Sequence, residues 1–228
     1  MLTAAEWEVV RLSLLVGGVA CLCVLPVAFG LAWMLARGRF RALVLLDGIV
    51  HLPLVVPPVV TGWMLLLFFG AGGWGGRALG ALGISVLFRW TGAAVAAGVM
   101  ALPLMVRAMR LSIEAVDRRL EDAARTLGAG RWRTFATVTL PLSLPGVLAG
   151  LVLGFARSIG EFGATITFVS NVPGETETLP LAIYAALQQP GAEETVARLA
   201  GASVALSLLA LVLSEWLARR MGRGLHVL

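Results

Sequence analysis

Five stretches without a charged side chain decide what this chain can fold into. Residues 12–36, 48–76, 90–106, 134–156 and 199–214 contain no Asp, Glu, Lys or Arg. About 20 apolar residues in a helix cross the roughly 30 Å hydrocarbon core of a bilayer, where every backbone N–H and C=O must find its partner inside the protein. A helical bundle meets both conditions, and the shorter runs reach full length by passing a flanking arginine whose head snorkels to water. Composition agrees: 59% of the 228 residues are hydrophobic and 14% charged, against about 25% charged in soluble domains. The expected fold is an all-α integral membrane bundle of five transmembrane helices. The tracts 162–174 and 178–192 are shorter, and the second carries Pro180 and Pro190. They are expected to form an extracytoplasmic or partly inserted connection over 163–198. A sixth helix, from 178–192 or from the N-terminus, is the alternative topology.

Arginine placement sets the expected direction, because cytoplasmic loops retain positive charge. The clusters Arg37/Arg39/Arg41, Arg107 through Arg133, and Arg219/Arg220/Arg223 hold thirteen of the eighteen basic residues. Two crossings fit between successive clusters, which puts the N-terminus outside and the C-terminus inside. The N-terminal "MLTAAEWEVV" has acidic flanks, so the first apolar run is expected to remain in the mature protein. No internal repeat or low-complexity tail stands out, and residues 1–228 read as one membrane domain.

All eighteen basic residues are arginines. Without lysine there is no P-loop lysine, Schiff base or Ser-Lys dyad. Cys21 and Cys23 point about 200° apart on a helix, and His51 and His226 are too far apart to suggest a metal cluster. Asp47 and His51 lie four apart at one helix end, where such pairs anchor or pack. No catalytic, cofactor-binding or metal-binding residue is expected. An ion-coupled transporter would carry inverted repeats and midplane ionisable groups, and only Arg157 and Glu161 approach that description.

The largest polar loop, 112–137, has helical periodicity. Ile113, Val116, Leu120, Ala123, Ala124 and Leu127 recur at three- and four-residue spacing, with Asp117, Arg118, Glu121, Asp122 and Arg125 on the other side. Ser112 is the expected N-cap and Gly128 the expected stop. "RWRTFATV" continues as a second short helix, and Pro141 occupies an early, tolerated position of the next span. Periodicity alone fits a solvated interfacial loop or a docking element.

The spacing of this loop is more specific. Asp122-Ala123-Ala124, three residues, Gly128, nine residues, then Val138-Thr139-Leu140-Pro141 resembles the signature of ABC-importer permeases, E-A-A-x3-G-x9-I-x-L-P. Aspartate stands for glutamate, with Glu121 just before it, and valine for isoleucine. The resemblance implies a coupling helix seated in a cytoplasmic ATPase subunit, with ATP and Mg bound by that partner. Ala123 and Ala124 would allow close approach, the Asp122 carboxylate would meet a basic or amide group, and Gly128 would permit the turn. "LPLVVPPVVTGWMLL" from Leu52 and "RSIGEFGATITFVSNVPGETETLPLAIYAALQ" from Arg157 further resemble the permeases of molybdate importers, with those for sulfate and thiosulfate as near relatives. That resemblance covers nearly the whole chain. It implies the type I ABC-importer permease fold in a bacterial inner membrane, two copies around a central pathway, an ATPase dimer beneath, and a soluble oxyanion-binding protein outside. Nucleic acid has no part in it.

Pathway candidates follow from local chemistry. Pro53, Pro57 and Pro58 remove backbone donors just before Thr61 and Gly62. A helix broken at that depth lies along a pathway or subunit interface, or is a kink that serves packing. Arg157 and Glu161, four apart, can pair as a strut or touch substrate. Ser158, Thr165, Thr167, Ser170 and Asn171 offer hydroxyl and amide groups suited to weak, transient contact with an anion. Gly160 and Gly163 allow close helix approach. Glu6, Glu8, Glu175, Glu177, Glu193 and Glu194 are expected outside, as solvated decoration or as a docking surface.

Overall fold

The computed structural model of the chain describes residues 2–38 and 41–225. Arg39 and His226 lie outside the described residues. The described chain is helical, with no strand among those residues. Helix α1 spans Ala4–Arg37 and starts in a capping box: Thr3 Oγ1 accepts from Glu6 N, and Glu6 Oε2 accepts from Thr3 N at 2.7 Å. After α2 (Leu43–Val55), α3 (Pro58–Phe69) and the short α4 (Trp74–Ala81) comes the central helix α5, Trp90–Ala115. Helices α6 (Arg118–Thr126) and α7 (Arg131–Thr134) form the polar loop. A π-helical turn, Phe135–Thr139, leads into α8, Leu140–Ile159. Helices α9 (Gly163–Val169) and α10 (Leu179–Leu187) precede α11, Glu193–Leu225, which holds Arg219, Arg220 and Arg223 in its last turns.

Small residues let the core close. Ala93, Ala96, Ala97 and Ala101 of α5 are almost fully buried. A Cβ on Gly98 would sit 2.8 Å from Val24 of α1, and one on Gly154 of α8 would sit 2.6 Å from Met105 of α5. In a bilayer, where lipid is as apolar as leucine, such close backbone approach replaces the hydrophobic effect as the source of helix association. Helices α1, α5 and α8 therefore pack as a tight triplet, with α11 against α8 and α10. Cys21 is buried in this packing and Cys23 is exposed.

Four helices are long and apolar enough to cross a membrane: α1, α5, the α7–α8 run and α11. The remaining apolar run is a sharply bent pair of helices. α2 and α3 meet at 114°, because Pro57 and Pro58 bring no N–H and Pro57 biases Val56 out of the helical region, to ψ 137°. Pro53 stays inside α2. The two ends of the bent pair reach different ends of α5. Asp47 at its start accepts from Arg110 Nη1, near the α6–α7 end of α5. Phe69 at its finish packs on Phe168, beside Ala93 near the opposite end of α5. α9 and α10, of seven and nine residues, are too short to cross. This is a multi-pass membrane protein.

Candidate coupling and pathway sites

The polar loop is built differently from its periodicity. α5 continues through Ala115, so Ile113 and Val116 belong to its buried end and not to the loop helix. Ser112 is no cap; it lies inside α5, and its Oγ donates to Ser143 O of α8 at 3.2 Å. Asp117 caps α6 instead, with extended backbone and Oδ1 accepting from Arg119 N at 2.9 Å. At the other end Gly128 takes φ +88°, while Ala129 N donates to Ala124 O and Gly128 N to Arg125 O, the paired bonds of a Schellman stop.

Glu121 is the buried residue of α6, at 7% exposure. Its Oε1 accepts from Arg37 Nη2 at the end of α1, at 2.9 Å, and from Thr139 Oγ1 in the π turn, at 2.8 Å. One carboxylate thus joins α1, α6 and the start of α8. The opposite stripe faces outward: Leu120 is half exposed, Ala123 is exposed, and Leu127 is 89% exposed. Asp122 is also exposed and pairs with Arg125 at 3.3 Å. Val138 and Leu140 are half-buried, and Pro141, at the second position of α8, is exposed. Phe135 anchors the turn by edge contacts with Trp33 and Phe29 of α1, at 5.0 and 6.0 Å between centroids.

The pathway candidates fall into two groups. The segment that carries Pro57, Pro58 and Thr61 lies against the one that carries Thr165 and Thr167, because α3 presses on α9: a Cβ on Gly62 would lie 2.5 Å from Ala164 O and 2.9 Å from Thr167 Cβ, and one on Gly163 would lie 2.8 Å from Pro58. Thr61 and Thr165 are buried; Pro57 and Pro58 are exposed. Thr167 Oγ1 donates to its own helix, at Gly163 O. Glu161 governs this region. It follows the break that ends α8, is 3% exposed, accepts from Arg157 Nη2 at 2.7 Å, and caps α9 by accepting from Ala164 N at 2.8 Å. The pair therefore bridges a helix break and does not lie along one helix face. Ser158 sits apart, buried against Cys21 Sγ at 3.9 Å. Asn171 lies past α9, where its Nδ2 donates to Glu177 at 3.4 Å. Ser170 adopts φ +61°, and Thr176 Oγ1 donates to its carbonyl.

A profile of the binding-protein-dependent transport system inner membrane component matches residues 26–223. The chain belongs to that family. It is 56% identical over 220 residues to the molybdenum transport system permease protein ModB of Escherichia coli K12, covering 96% of each chain. The Haemophilus influenzae protein of the same name is 56% identical over 96% of each. The sulfate transport system permease protein CysT of E. coli K12 is 39% identical over 86% of this chain and 71% of its own. Among solved structures, a bacterial ABC transporter involved in alginate import superposes with TM-score 0.71 at 19% identity, over 97% of this chain and 80% of that one. The inward-facing MetNI methionine transporter gives 0.67 at 17%, over 95% and 94%. The fold is that of type I ABC importer permeases.

Two contacts escaped sequence reasoning. Glu6 was expected among surface acids but is 6% exposed and bound to Arg198 at 2.9 Å; the Thr3–Glu6 spacing of a capping box was the available signal. Arg37 reads from the sequence only as a marker of orientation, and nothing in its neighbourhood announces a partner 84 residues away.

Proposed function

We propose that this chain is the membrane-spanning subunit of an ATP-driven importer of molybdate, working as two copies above a dimer of separate ATPase subunits and below a soluble oxyanion-binding protein. The observation that carries the reading is the polarity of α6, which is fastened inward by its buried carboxylate and turns Leu120, Ala123 and Leu127 outward. An apolar stripe displayed on a charged helix suits a protein partner better than water. It coincides with the stretch that resembles the coupling signature, so Asp122, Ala123, Ala124 and Gly128 form the ATPase contact, with Val138, Leu140 and Pro141 passing its movement into α8. The α6–α7 end, rich in arginine, is then cytoplasmic, with the N-terminus outside and the C-terminus inside.

In this reading ATP and Mg bind to the partner, and the permease contributes no bond chemistry. Closure of the ATPases draws the two α6 helices together, the Glu121 junction carries the shift to α1 and α8, and alternate faces of the bundle open. The substrate passes beside the α2–α3 break and α9, where Thr61, Thr165 and Thr167 lie near Pro57 and Pro58. Molybdate takes precedence over sulfate because the molybdenum permeases are more similar and over more of their length. Glu161, neutralised by Arg157 and engaged in capping α9, serves as a strut.

The test is uptake of labelled molybdate into cells lacking their own importer and expressing this chain with its ATPase and binding protein. Vanadate-sensitive uptake, competed by tungstate and weakly by sulfate, is the expected result. Equal competition by sulfate would move the assignment to the sulfate permeases, and vanadate-insensitive uptake driven by an ion gradient would overturn it.

A further inference from the structure

Between the end of α1 and the polar side of α6 lies a cavity of about 570 Å³ that the import reading leaves without an occupant. Four arginines, Arg37, Arg118, Arg125 and Arg131, line it against two carboxylates, Glu121 and Asp122. Both carboxylates are already engaged, Glu121 with Arg37 and Asp122 with Arg125. Arg118 and Arg131 form no ion pair among the described residues. Arg37 Nε is a buried donor without an acceptor. The cavity is therefore positive, and it offers planar, forked N–H donors of the kind that meet phosphate oxygens in pairs.

The remaining wall is apolar. Trp33 and Met34 of α1 line it, and Met34 is 45% exposed. Phe135 joins Trp33 to Trp132, which is 85% exposed. α1 is a full membrane span, so these rings stand where a span leaves the bilayer, the depth at which tryptophan collects and headgroups lie. Basic pockets between spans at that depth take anionic headgroups. The lining residues Arg118, Glu121 and Arg125 are on the opposite side of α6 from Leu120, Ala123 and Leu127, with Asp122 at the border between the two sides. A partner on the outward stripe, reaching as far as Asp122, leaves Arg118 and Arg131 to the bilayer.

We propose that this cavity binds the phosphate of an anionic phospholipid, with Arg118 and Arg131 on the phosphate oxygens and Trp33 and Met34 against the glycerol and upper acyl chain. The bound lipid bridges α1, α6 and α7. It is independent of which oxyanion is transported.

The test counts lipids retained by the full-length chain, purified in its transporter complex, delipidated, and titrated with phosphatidylglycerol or phosphatidylcholine under native mass spectrometry. Phosphatidylglycerol is expected to bind at least about tenfold tighter. The double variant Arg118→Gln/Arg131→Gln is expected to lose roughly 30-fold, at about 1 kcal/mol per arginine and 1.4 kcal/mol per tenfold. Arg77→Gln, beside Trp74 in α4, leaves the preference intact. Both cavity arginines are exposed and unpaired, so the variant keeps the fold, and the wild-type preference stands as a separate measurement. Equal binding of the two lipids, or wild-type affinity in the double variant, overturns the site. Displacement of the lipid by millimolar inorganic phosphate or molybdate overturns the lipid assignment in favour of a free tetrahedral anion.

Discussion

Removing the charge of Glu121 is the sharpest perturbation of the proposed coupling. The Arg37 and Glu121 side chains are 13% and 9% exposed, with 2.9 Å between Nη2 and Oε1. Two unit charges at that distance attract by about 6 kcal/mol at an effective dielectric of 20, most of it offset by the cost of taking both ions from water. Breaking one partner of a buried pair costs about 3–5 kcal/mol, and the adjoining cavity lets Arg37 recover some hydration, so Glu121→Ala is expected near the lower figure. Glu121→Gln keeps the shape and an acceptor for Thr139 but loses the charge, and is expected to cost about 2 kcal/mol. In a double-mutant cycle with Arg37→Met, measured by denaturation in mixed micelles, the coupling energy should reach about 2 kcal/mol. In proteoliposomes holding the whole transporter, Glu121→Gln should lower uptake per ATP hydrolysed more than the hydrolysis rate itself. A coupling energy below about 0.5 kcal/mol, or unchanged uptake per ATP, would refute the role of the Glu121 junction.

Other substitutions separate docking from folding. Leu127→Ser alters a side chain that is 89% exposed, so stability should move by less than about 0.5 kcal/mol while the ATPase no longer copurifies. Gly128→Val places a β-branched residue at φ +88°, with open space around the new Cβ; the cost is backbone strain of about 1–3 kcal/mol, and vanadate-sensitive uptake should fall sharply. Gly62→Ala drives a Cβ to 2.5 Å from Ala164 O and should destabilise by about 3 kcal/mol. Gly201→Ala in α11 meets nothing within 4 Å and should keep the wild-type thermal midpoint.

The spans were legible because a bilayer imposes a single length on every apolar run: four of the five expected crossings are single long helices, and the 48–76 run coincides with the bent α2–α3 pair. The break at Pro57 and Pro58 was legible because proline lacks the donor a helix requires. The loop was harder. Its period runs unbroken from Ile113 to Leu127, so nothing in the spacing marks the change of helix at Asp117. An apolar stripe also does not say whether it faces the protein or away from it. That depends on Arg37 and Thr139, which approach Glu121 only after the chain has folded. The Arg157–Glu161 spacing led to the correct pair for an incomplete reason, since the helix that would have aligned them ends at Ile159.

The sharply bent α2–α3 pair is completed late. α2 and α3, of thirteen and twelve residues, are each too short to enter the bilayer alone. With prolines at 57 and 58, the carbonyls of Pro53 and Leu54 have no amide four residues on to receive. Within the chain, α2 buries only Val50, and α3 only Thr61 and Gly62. The surface that shelters α3 is α9, which the ribosome makes much later. The bent segment therefore reaches its final packing only after α5 and α8 have been translated, and its early and late neighbours meet across more than a hundred residues of chain.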